Sequence, residues 1–203
     1  MKTYVLIDRS GSMGDRWGET VAAIGAFMQG LKKKAKVHIA VFDTGRAGRI
    51  DYLCLLDGKA KEWKNGIMEM HPPRGMTPLW DATAMLATVI AETQPDKAQI
   101  VLITDGHENA SKECSNVLVR KIVKGWKKKG YDVIYIGASF ADADVAAVAM
   151  GINSQQTVNM SSSKHYGETM SAMSTRNAAY ASGDVDAKSD LGKGIRDKAD
   201  GKK

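Results

Sequence analysis

Residues 4–12 read YVLIDRSGS, an apolar run that ends in one carboxylate and two hydroxyls at alternate positions. A short apolar run of this kind is typical of a buried strand. Because side chains at i, i+2 and i+4 of an extended chain face the same side, we expect Asp8, Ser10 and Ser12 to direct their oxygens to one point. Gly11 lets the backbone bend over that point.

Two later segments supply further oxygen donors. Thr77, within the sequence GMTPL, offers a third hydroxyl, and Asp105 offers a second carboxylate at the end of a second apolar run. Hard oxygen ligands suit Mg²⁺ or Mn²⁺ rather than zinc. The sequence therefore predicts a divalent-metal site that is formed by Asp8, Ser10, Ser12, Thr77 and Asp105.

Strand-like and helix-like segments alternate along the chain. Apolar runs at 4–7, 37–42, 99–104 and 133–136 predict strands, and residues between them repeat at helical spacing. This order predicts an α/β fold of three layers, in which a doubly wound, mainly parallel sheet is covered by helices on both faces. Residues 50–56 follow the second strand closely enough to form a hairpin, which predicts one antiparallel edge strand.

Ligands of such sheets bind at the carboxyl ends of the strands, where the strand order reverses. Asp8 and Asp105 each follow a predicted strand, so the fold itself is expected to bring the two carboxylates together. Ser111 is expected to cap the next helix, which closes at Gly130. Tyr166, Met170, Met173 and Tyr180 predict a final helix that packs against the core.

Composition and length set the broad class. The chain has 203 residues, of which 43% are hydrophobic, enough for one core. We expect one domain over 1–182 and a flexible basic tail over 183–203, where Asp, Lys and Gly dominate. The first strand leaves no room for a signal peptide before Asp8, and the two cysteines are far apart, so a cytoplasmic location is expected.

Charge alone does not single out a partner. The formal net charge is +6, and lysines cluster at 32–34 and 127–129, each near the end of a predicted helix. Cations at helix ends complement the helix dipole, which favours solvated helix ends over a nucleic-acid surface. Nucleic acid is therefore the less favoured partner, and no apolar run is long enough to span a bilayer.

At the level of motifs, the chain resembles a von Willebrand factor A domain, the family that includes the integrin inserted domain. That family's metal-ion-dependent adhesion site reads Asp-x-Ser-x-Ser, then a Thr, then an Asp. Asp8, Ser10 and Ser12 match the first element, Thr77 the second and Asp105 the third. The resemblance covers roughly residues 1–180. The chain is similar to small bacterial and phage A-domain proteins rather than to secreted adhesive ones.

The resemblance implies a Rossmann-like fold and a protein-binding (adaptor) module. Mg²⁺, with Mn²⁺ or Ca²⁺ as alternatives, would be held by the five residues and would capture an Asp or Glu of a partner protein. The partner would belong to a larger assembly, such as an ATPase complex. Catalysis is not required.

Several neighbouring residues have expected roles. Arg9 is expected to point away from the metal and to flank an acidic partner, and Trp80 is expected to pack on its neighbouring helix. Glu108 is expected to cap the next helix or to support the metal ligands, and His107 to be an exposed loop residue.

Two other functions remain open. A strand that ends in Asp on such a sheet is also typical of Mg²⁺-dependent phosphohydrolases with an aspartyl nucleophile, but these place a second carboxylate where this chain has Ser10. The other is a basic nucleic-acid-binding protein. No Gly-x-x-x-x-Gly-Lys-Ser/Thr sequence occurs, which excludes a P-loop enzyme.

Overall fold

A computed structural model describes residues 1–45, 47–105, 108–138, 143–160, 166–186 and 190–191. Its strands are β1 Lys2–Asp8, β2 Lys36–Thr44, β3 Ile50–Lys59, β4 Ala98–Thr104, β5 Asp132–Gly137 and β6 Thr157–Asn159. Its helices are α1 Trp17–Gly30, α2 Leu79–Thr93, α3 Asn116–Lys128, α4 Ala143–Ala149 and α5 Tyr166–Ser182. Short 3₁₀ helices cover Gly11–Arg16, Ala60–Glu62, Met68–Met70 and Ser154–Gln156.

The strands form one sheet in the order β3-β2-β1-β4-β5-β6. β1 is central and pairs in parallel with β2 on one side and β4 on the other. β3 pairs antiparallel with β2 and forms one edge of the sheet. The predicted doubly wound, mainly parallel sheet with one antiparallel edge strand is therefore confirmed.

Side-chain alternation along β1 separates the core into two layers. Val5 and Ile7 belong to the cluster that packs with α1 and α5, whereas Tyr4 and Leu6 belong to the cluster that packs with α2, α3 and α4. All four side chains are fully buried, because helices cover both faces of the central strand. Asp8 continues the even-numbered series and so lies on the face that α2 covers.

The final helix lies against the first one. Tyr166, Met170, Met173 and Tyr180 are all buried, as their helical spacing predicted. The predicted start of a helix near Asp144 and its end at Gly151 also agree with α4, although Asp142 lies outside the described residues.

A buried polar network ties α5 to the amino ends of the strands. Asn177 Nδ2 donates to Thr3 Oγ1 and to Gln99 Oε1, each at 2.8 Å. Gln99 Nε2 donates to Asp132 Oδ2 at 3.0 Å, and Arg176 bonds both oxygens of Asp132 at 2.9 and 3.1 Å. Each of these buried polar groups has a partner, so the network links α5 to the sheet and offsets part of the cost of burying the groups.

One helix start differs from the prediction. Ser115, not Ser111, precedes α3, and its Oγ accepts a hydrogen bond from Leu118 N at 3.4 Å. Ser111 instead bonds the backbone at the start of α2. Gly130 ends the helix as expected, with a φ of +73° that suits glycine.

The boundary near residue 183 stays a prediction, because most of the segment beyond it lies outside the described residues. Leu191 is buried and its N donates to Gln155 O at 3.2 Å. In the part of the chain that the structure describes, no helix combines the length and the apolarity that crossing a bilayer requires.

Candidate metal centre

Asp8 and Asp105 lie at the carboxyl edge of the sheet, at the end of neighbouring strands. Asp8 is the last residue of β1, and Asp105 directly follows β4. From β1 the chain continues to β2 on one side, and it later returns to β4 on the other side. The two carboxylates therefore occupy the point where the strand order reverses, which is where sheets of this kind bind ligands.

The Asp8 carboxylate is fully buried and accepts hydrogen bonds at both oxygens. Ser10 N donates to Oδ1 at 2.7 Å, and Thr104 Oγ1 donates to Oδ2 at 2.5 Å. Thr104 reaches Asp8 because both residues lie on the face of the sheet that α2 covers. These two bonds fix the orientation of the carboxylate.

Two serine hydroxyls connect Asp8's loop with Asp105. Ser10 Oγ lies 3.0 Å from Ser12 Oγ, and Ser12 Oγ donates to Asp105 Oδ1 at 2.9 Å. Ser12 belongs to the 3₁₀ helix Gly11–Arg16 rather than to an extended strand. The chain therefore turns after Ser10, and the turn, not strand alternation, aligns Ser12 with Asp105.

Thr77 lies in an adjacent loop and is buried, directly before α2. Its backbone N donates to Asn109 Oδ1 at 2.9 Å, and Asn109 N donates to Thr77 O at 3.2 Å. The same loop reaches the serine turn, because Gly11 N donates to Gly75 O at 3.1 Å. Of the five predicted ligands, Asp8, Ser10, Ser12 and Asp105 are thus joined by hydrogen bonds, and Thr77 is held beside them through its backbone.

Gly75 is required at its position in this loop. Its φ is +67°, and a Cβ atom there would lie 2.4 Å from the carbonyl oxygen of Thr44. Thr44 also bonds Met76, with Met76 N donating to Thr44 Oγ1 at 2.7 Å. The close approach of the two backbones fixes the loop that carries Thr77 against the carboxyl end of β2, the neighbour of β1.

Burial raises the pKa of Asp8 from 3.8 to about 7, against the lowering effect of the hydrogen bonds from Thr104 and Ser10. The negative charge of Asp105 raises the pKa of Asp8 further. Burial also raises the pKa of Asp105, and the hydrogen bond from Ser12 and the positive charge of Arg16 partly offset this rise. The ionised form of both carboxylates is therefore disfavoured unless a cation is bound.

The positive charge of Arg9 does not neutralise Asp8 or Asp105. The side chain points away from Asp8, as expected, and its guanidinium lies 3.1 Å from both Asp43 Oδ2 and Asp51 Oδ2. Arg74 bonds the same two carboxylates. Arg9 is only 3% exposed, so the expected role in flanking an acidic partner was wrong: the side chain is buried in an ion-pair network.

Glu108 joins the loop after β4 to the start of α2. Its Oε2 accepts from Trp80 N at 2.8 Å and from Ser111 Oγ at 2.6 Å, and its Oε1 accepts from Ala110 N and Ser111 N. Ser111 Oγ in turn accepts from the N of Trp80 and of Asp81. Glu108 thus caps α2, which precedes it in the chain, rather than the next helix as predicted. Trp80 packs against the apolar cluster as expected. His107 lies outside the described residues.

Sequence patterns missed two residues of this site, Thr104 and Asn109. Thr104 is detectable in principle, since it has the same strand parity as Asp8 on the neighbouring strand. Asn109 has no such signal, because its bonds to Thr77 join loops that are distant in sequence.

The donor set fits a hard divalent cation. Two carboxylates and three hydroxyls supply only oxygen, which suits Mg²⁺, Mn²⁺ or Ca²⁺. Among the described residues, no group of three or more His, Cys, Asp or Glu side chains is placed to hold a metal. A site in this chain therefore depends on the hydroxyls as well as the two carboxylates.

Comparison with known proteins agrees with the fold. A family model described as von Willebrand factor type A domain matches residues 3–108, just over half of the chain. No curated protein matches the chain.

Solved structures share the fold at low sequence identity. A von Willebrand factor type A protein from Catenulispora acidiphila aligns with a TM-score of 0.63 and 15% identity, over 85% of this chain and 41% of that one. Proximal thread matrix protein 1 from the mussel byssus, described with a zinc-occupied MIDAS motif, aligns with a TM-score of 0.67 and 12% identity, over 87% and 45%. This chain thus spans less than half the length of either protein.

A third structure is of nearly the same length as this chain. The vWF domain of the type V pili tip protein Mfa5 from Porphyromonas gingivalis aligns with a TM-score of 0.64 and 10% identity, over 87% of this chain and 94% of that one. At such identities, the likeness establishes the fold alone.

Proposed function

The chain belongs to the von Willebrand factor type A domain family, and from that premise we propose that it is a metal-dependent protein-interaction module. Asp8, Ser10, Ser12, Thr77 and Asp105 hold Mg²⁺ directly or through water. The bound ion captures an Asp or Glu side chain of a partner protein, which is a component of a larger assembly.

The observation that carries this proposal is the hydrogen-bonded chain from Asp8 through Ser10 and Ser12 to Asp105. It places two carboxylates side by side, and none of the described cationic side chains forms an ion pair with Asp8. Burial raises the pKa of Asp8 to about 7, so near or below this pH a divalent cation would displace a proton from part of the metal-free population. Such an arrangement favours cation binding over a purely structural role.

The site is open on the side from which a partner would approach. Gly11 and Ser12 are exposed, and Met76, next to Thr77, is 51% exposed. Mg²⁺ prefers octahedral coordination and keeps water where the protein supplies no ligand. Five protein groups therefore leave a position that an incoming carboxylate can take.

Mg²⁺ is the proposed ion, with Mn²⁺ and Ca²⁺ as alternatives. The mussel byssus protein described with zinc at its MIDAS motif supports a divalent ion in this family, but the all-oxygen set in this chain favours harder cations. The preferred ion is found by titrating each metal into the chelator-treated protein and comparing the dissociation constants.

We propose no catalytic role for the site. An aspartyl-phosphate enzyme needs an acid or base close to its nucleophile, and Ser10 occupies the position two residues after Asp8. The carboxylates are instead held by Thr104, Ser10 and Ser12, which position them for a cation.

Capture of partner proteins on the immobilised chain, with Mg²⁺ or with chelator, tests the proposal. We expect specific partners to elute with chelator and to be lost in Asp8→Ala, Ser10→Ala and Thr77→Ala. Asp15→Ala is the matched control, because Asp15 is an exposed carboxylate in the same 3₁₀ helix. Capture that chelator leaves unchanged would contradict the proposal, and phosphate-ester hydrolysis lost in Asp8→Ala would favour the phosphohydrolase.

A further inference from the structure

A groove of about 740 Å³ lies between α3 and the end of α4. Its lining consists of two glycines, Gly130 and Gly151, and five cationic side chains, namely Arg120, Lys121, Lys124, Lys127 and Lys128. We call these seven residues the basic groove. Among the described residues, no acidic side chain lines it, so the charge of the groove is uncompensated by the protein.

The basic groove shares no residue with the candidate metal centre. The metal centre lies at the carboxyl edge of the sheet, after β1 and β4. α3 follows β4 and ends near the amino ends of the strands, where Gly130 precedes β5. The two regions therefore present different surfaces to a partner.

Three side chains of α3 hold the other wall of the groove in place. Asn116 Nδ2 donates to Ala149 O at 2.8 Å, Arg120 donates to Val148 O at 3.2 Å, and Lys127 Nζ donates to Gly151 O at 2.9 Å. These are carbonyls at and just after the end of α4, where cations complement the helix dipole. The wall is thus fixed before any partner binds.

Lys121, Lys124 and Lys128 form no hydrogen bond to the carbonyls of this wall among the described residues. They are exposed on the side of α3 opposite the buried Val119 and Val123, and none forms an ion pair with a described residue. At spacings of three and four residues, their Cβ atoms are about 5–6 Å apart, and the row extends over roughly 10 Å. A row of this kind matches acidic side chains on one face of a helix or on alternate positions of a strand.

Exposed apolar side chains accompany the lysine row. Val117 precedes Lys121 by one helical turn and is 64% exposed. On α4, Val145 and Val148 are 62% and 55% exposed, and Val148 belongs to the turn whose carbonyl Arg120 binds. Apolar groups gain nothing from a phosphate backbone, and none of the described lining residues has an aromatic ring that could stack on bases. The combination favours a polypeptide over a nucleic acid.

We propose that the basic groove binds an acidic, amphipathic segment of a partner protein. Asp and Glu side chains of the segment pair with Lys121, Lys124 and Lys128, while its apolar side chains cover Val148 and Val117. This contact needs no metal, so it adds a second binding surface to the one at the metal centre.

The test uses the full chain in excess chelator, which separates this surface from the metal centre. The probe is a fluorescein-labelled synthetic helix-forming peptide of Glu and Leu, whose binding is followed by anisotropy at physiological salt. We expect the triple variant Lys121→Glu, Lys124→Glu, Lys128→Glu to weaken binding by about tenfold or more. We expect Val148→Ser to weaken it several-fold.

The matched control is Lys32→Glu, Lys33→Glu, Lys34→Glu, which makes the same charge change at exposed positions after α1. Retained peptide binding in this control supports a local groove, whereas an equal loss in both triple variants overturns the proposal. Two further probes complete the test: the same peptide with every Leu replaced by Ser, and a DNA duplex. Binding of either as tight as that of the Glu–Leu peptide overturns the proposal, the duplex in favour of nucleic acid. Circular dichroism confirms that each variant is folded.

Discussion

Thr104 Oγ1 donates a hydrogen bond of 2.5 Å to Oδ2 of Asp8, across the boundary between β4 and β1. This bond joins two residues that are 96 positions apart in sequence, on neighbouring parallel strands. It restrains a buried carboxylate that has no cationic partner among the described residues. The bond thus holds Asp8 in one orientation at the carboxyl edge, which is what metal coordination requires.

The stability of the metal-free chain should depend on the protonation of Asp8. Burial raises the pKa of Asp8 in the folded state to about 7, from 3.8. The stabilisation from this proton is complete below about pH 4 and is lost as the pH rises through about 7. We expect the free energy of unfolding in chelator to fall over this range, as measured by urea denaturation.

Asp8→Asn is the matched variant for this pH dependence, because an amide stays neutral. We expect the variant to be more stable than the wild type at about pH 8 and to lack most of the decrease in unfolding free energy between about pH 4 and pH 7. Each unit by which the pKa of Asp8 is raised contributes about 1.4 kcal/mol to that decrease. If the unfolding free energies of the two proteins changed in parallel with pH, the raised pKa of Asp8 would be contradicted.

Mg²⁺ should stabilise the folded chain, and more strongly at high pH than at low pH. The ion must displace the proton from Asp8, and burial raises the pKa of Asp105 as well. At an ion concentration 100 times the dissociation constant, a gain of about 2.7 kcal/mol in unfolding free energy is expected. Thermal denaturation at about pH 8 and about pH 5.5 measures the difference.

Variants separate a specific metal effect from a general salt effect. The gain in unfolding free energy that Mg²⁺ produces should vanish in Asp8→Asn and decrease in Ser12→Ala. It should persist in Asp15→Asn, because the Asp15 carboxylate is exposed in the wild type. Equal stabilisation of all four proteins would show that the ion binds elsewhere.

Gly75→Ala should disrupt the loop that carries Thr77. Its positive φ is strained for alanine, and the new Cβ would lie 2.4 Å from Thr44 O. We expect a loss of roughly 2 kcal/mol or more in unfolding free energy, together with weaker metal binding. Gly14→Ala is the control, because nothing lies within 4 Å of a Cβ there. If Gly75→Ala left the unfolding free energy unchanged, the backbones of Gly75 and Thr44 would be able to move apart at no cost.

Glu108→Ala should destabilise the start of α2 and the loop after β4. Its carboxylate accepts four hydrogen bonds, from Trp80 N, Ala110 N, Ser111 N and Ser111 Oγ. Removal leaves the N–H groups of Ala110 and Ser111 and the Ser111 hydroxyl without this acceptor, whereas Trp80 N keeps its bond to Ser111 Oγ. A cost of about 2 kcal/mol is expected from chemical denaturation. Glu113→Ala, an exposed glutamate of the same loop, should cost much less. If the two variants were equally stable, Glu108 would have no capping role.

The sequence was sufficient to predict the sheet and the strand ends at which the two carboxylates lie. The apolar runs before Asp8 and Asp105 predicted β1 and β4, because strands covered on both faces have few polar residues. That both residues lie at the carboxyl ends of strands followed from the α/β alternation. That β1 and β4 are neighbours is known only from the strand order of the folded sheet.

The loops were less predictable, because their hydrogen bonds join segments that are distant in sequence. Ser111 has the character of a helix cap, and it does cap a helix, but the helix is α2 rather than the one that follows it. Arg9 similarly finds Asp43 and Asp51, which only the folded sheet brings near. Ser12 reaches Asp105 through a 3₁₀ turn that strand alternation does not describe.

The bond from Asn177 to Thr3 joins the last helix to the first strand, 174 positions apart. β1 also needs β4 beside it, whose residues are made midway through synthesis. A ribosome therefore releases the central strand long before the segments that enclose it, and contacts of such high sequence separation form slowly. Until α5 has been synthesised, one apolar face of β1 lacks part of the helical cover that it has in the folded chain.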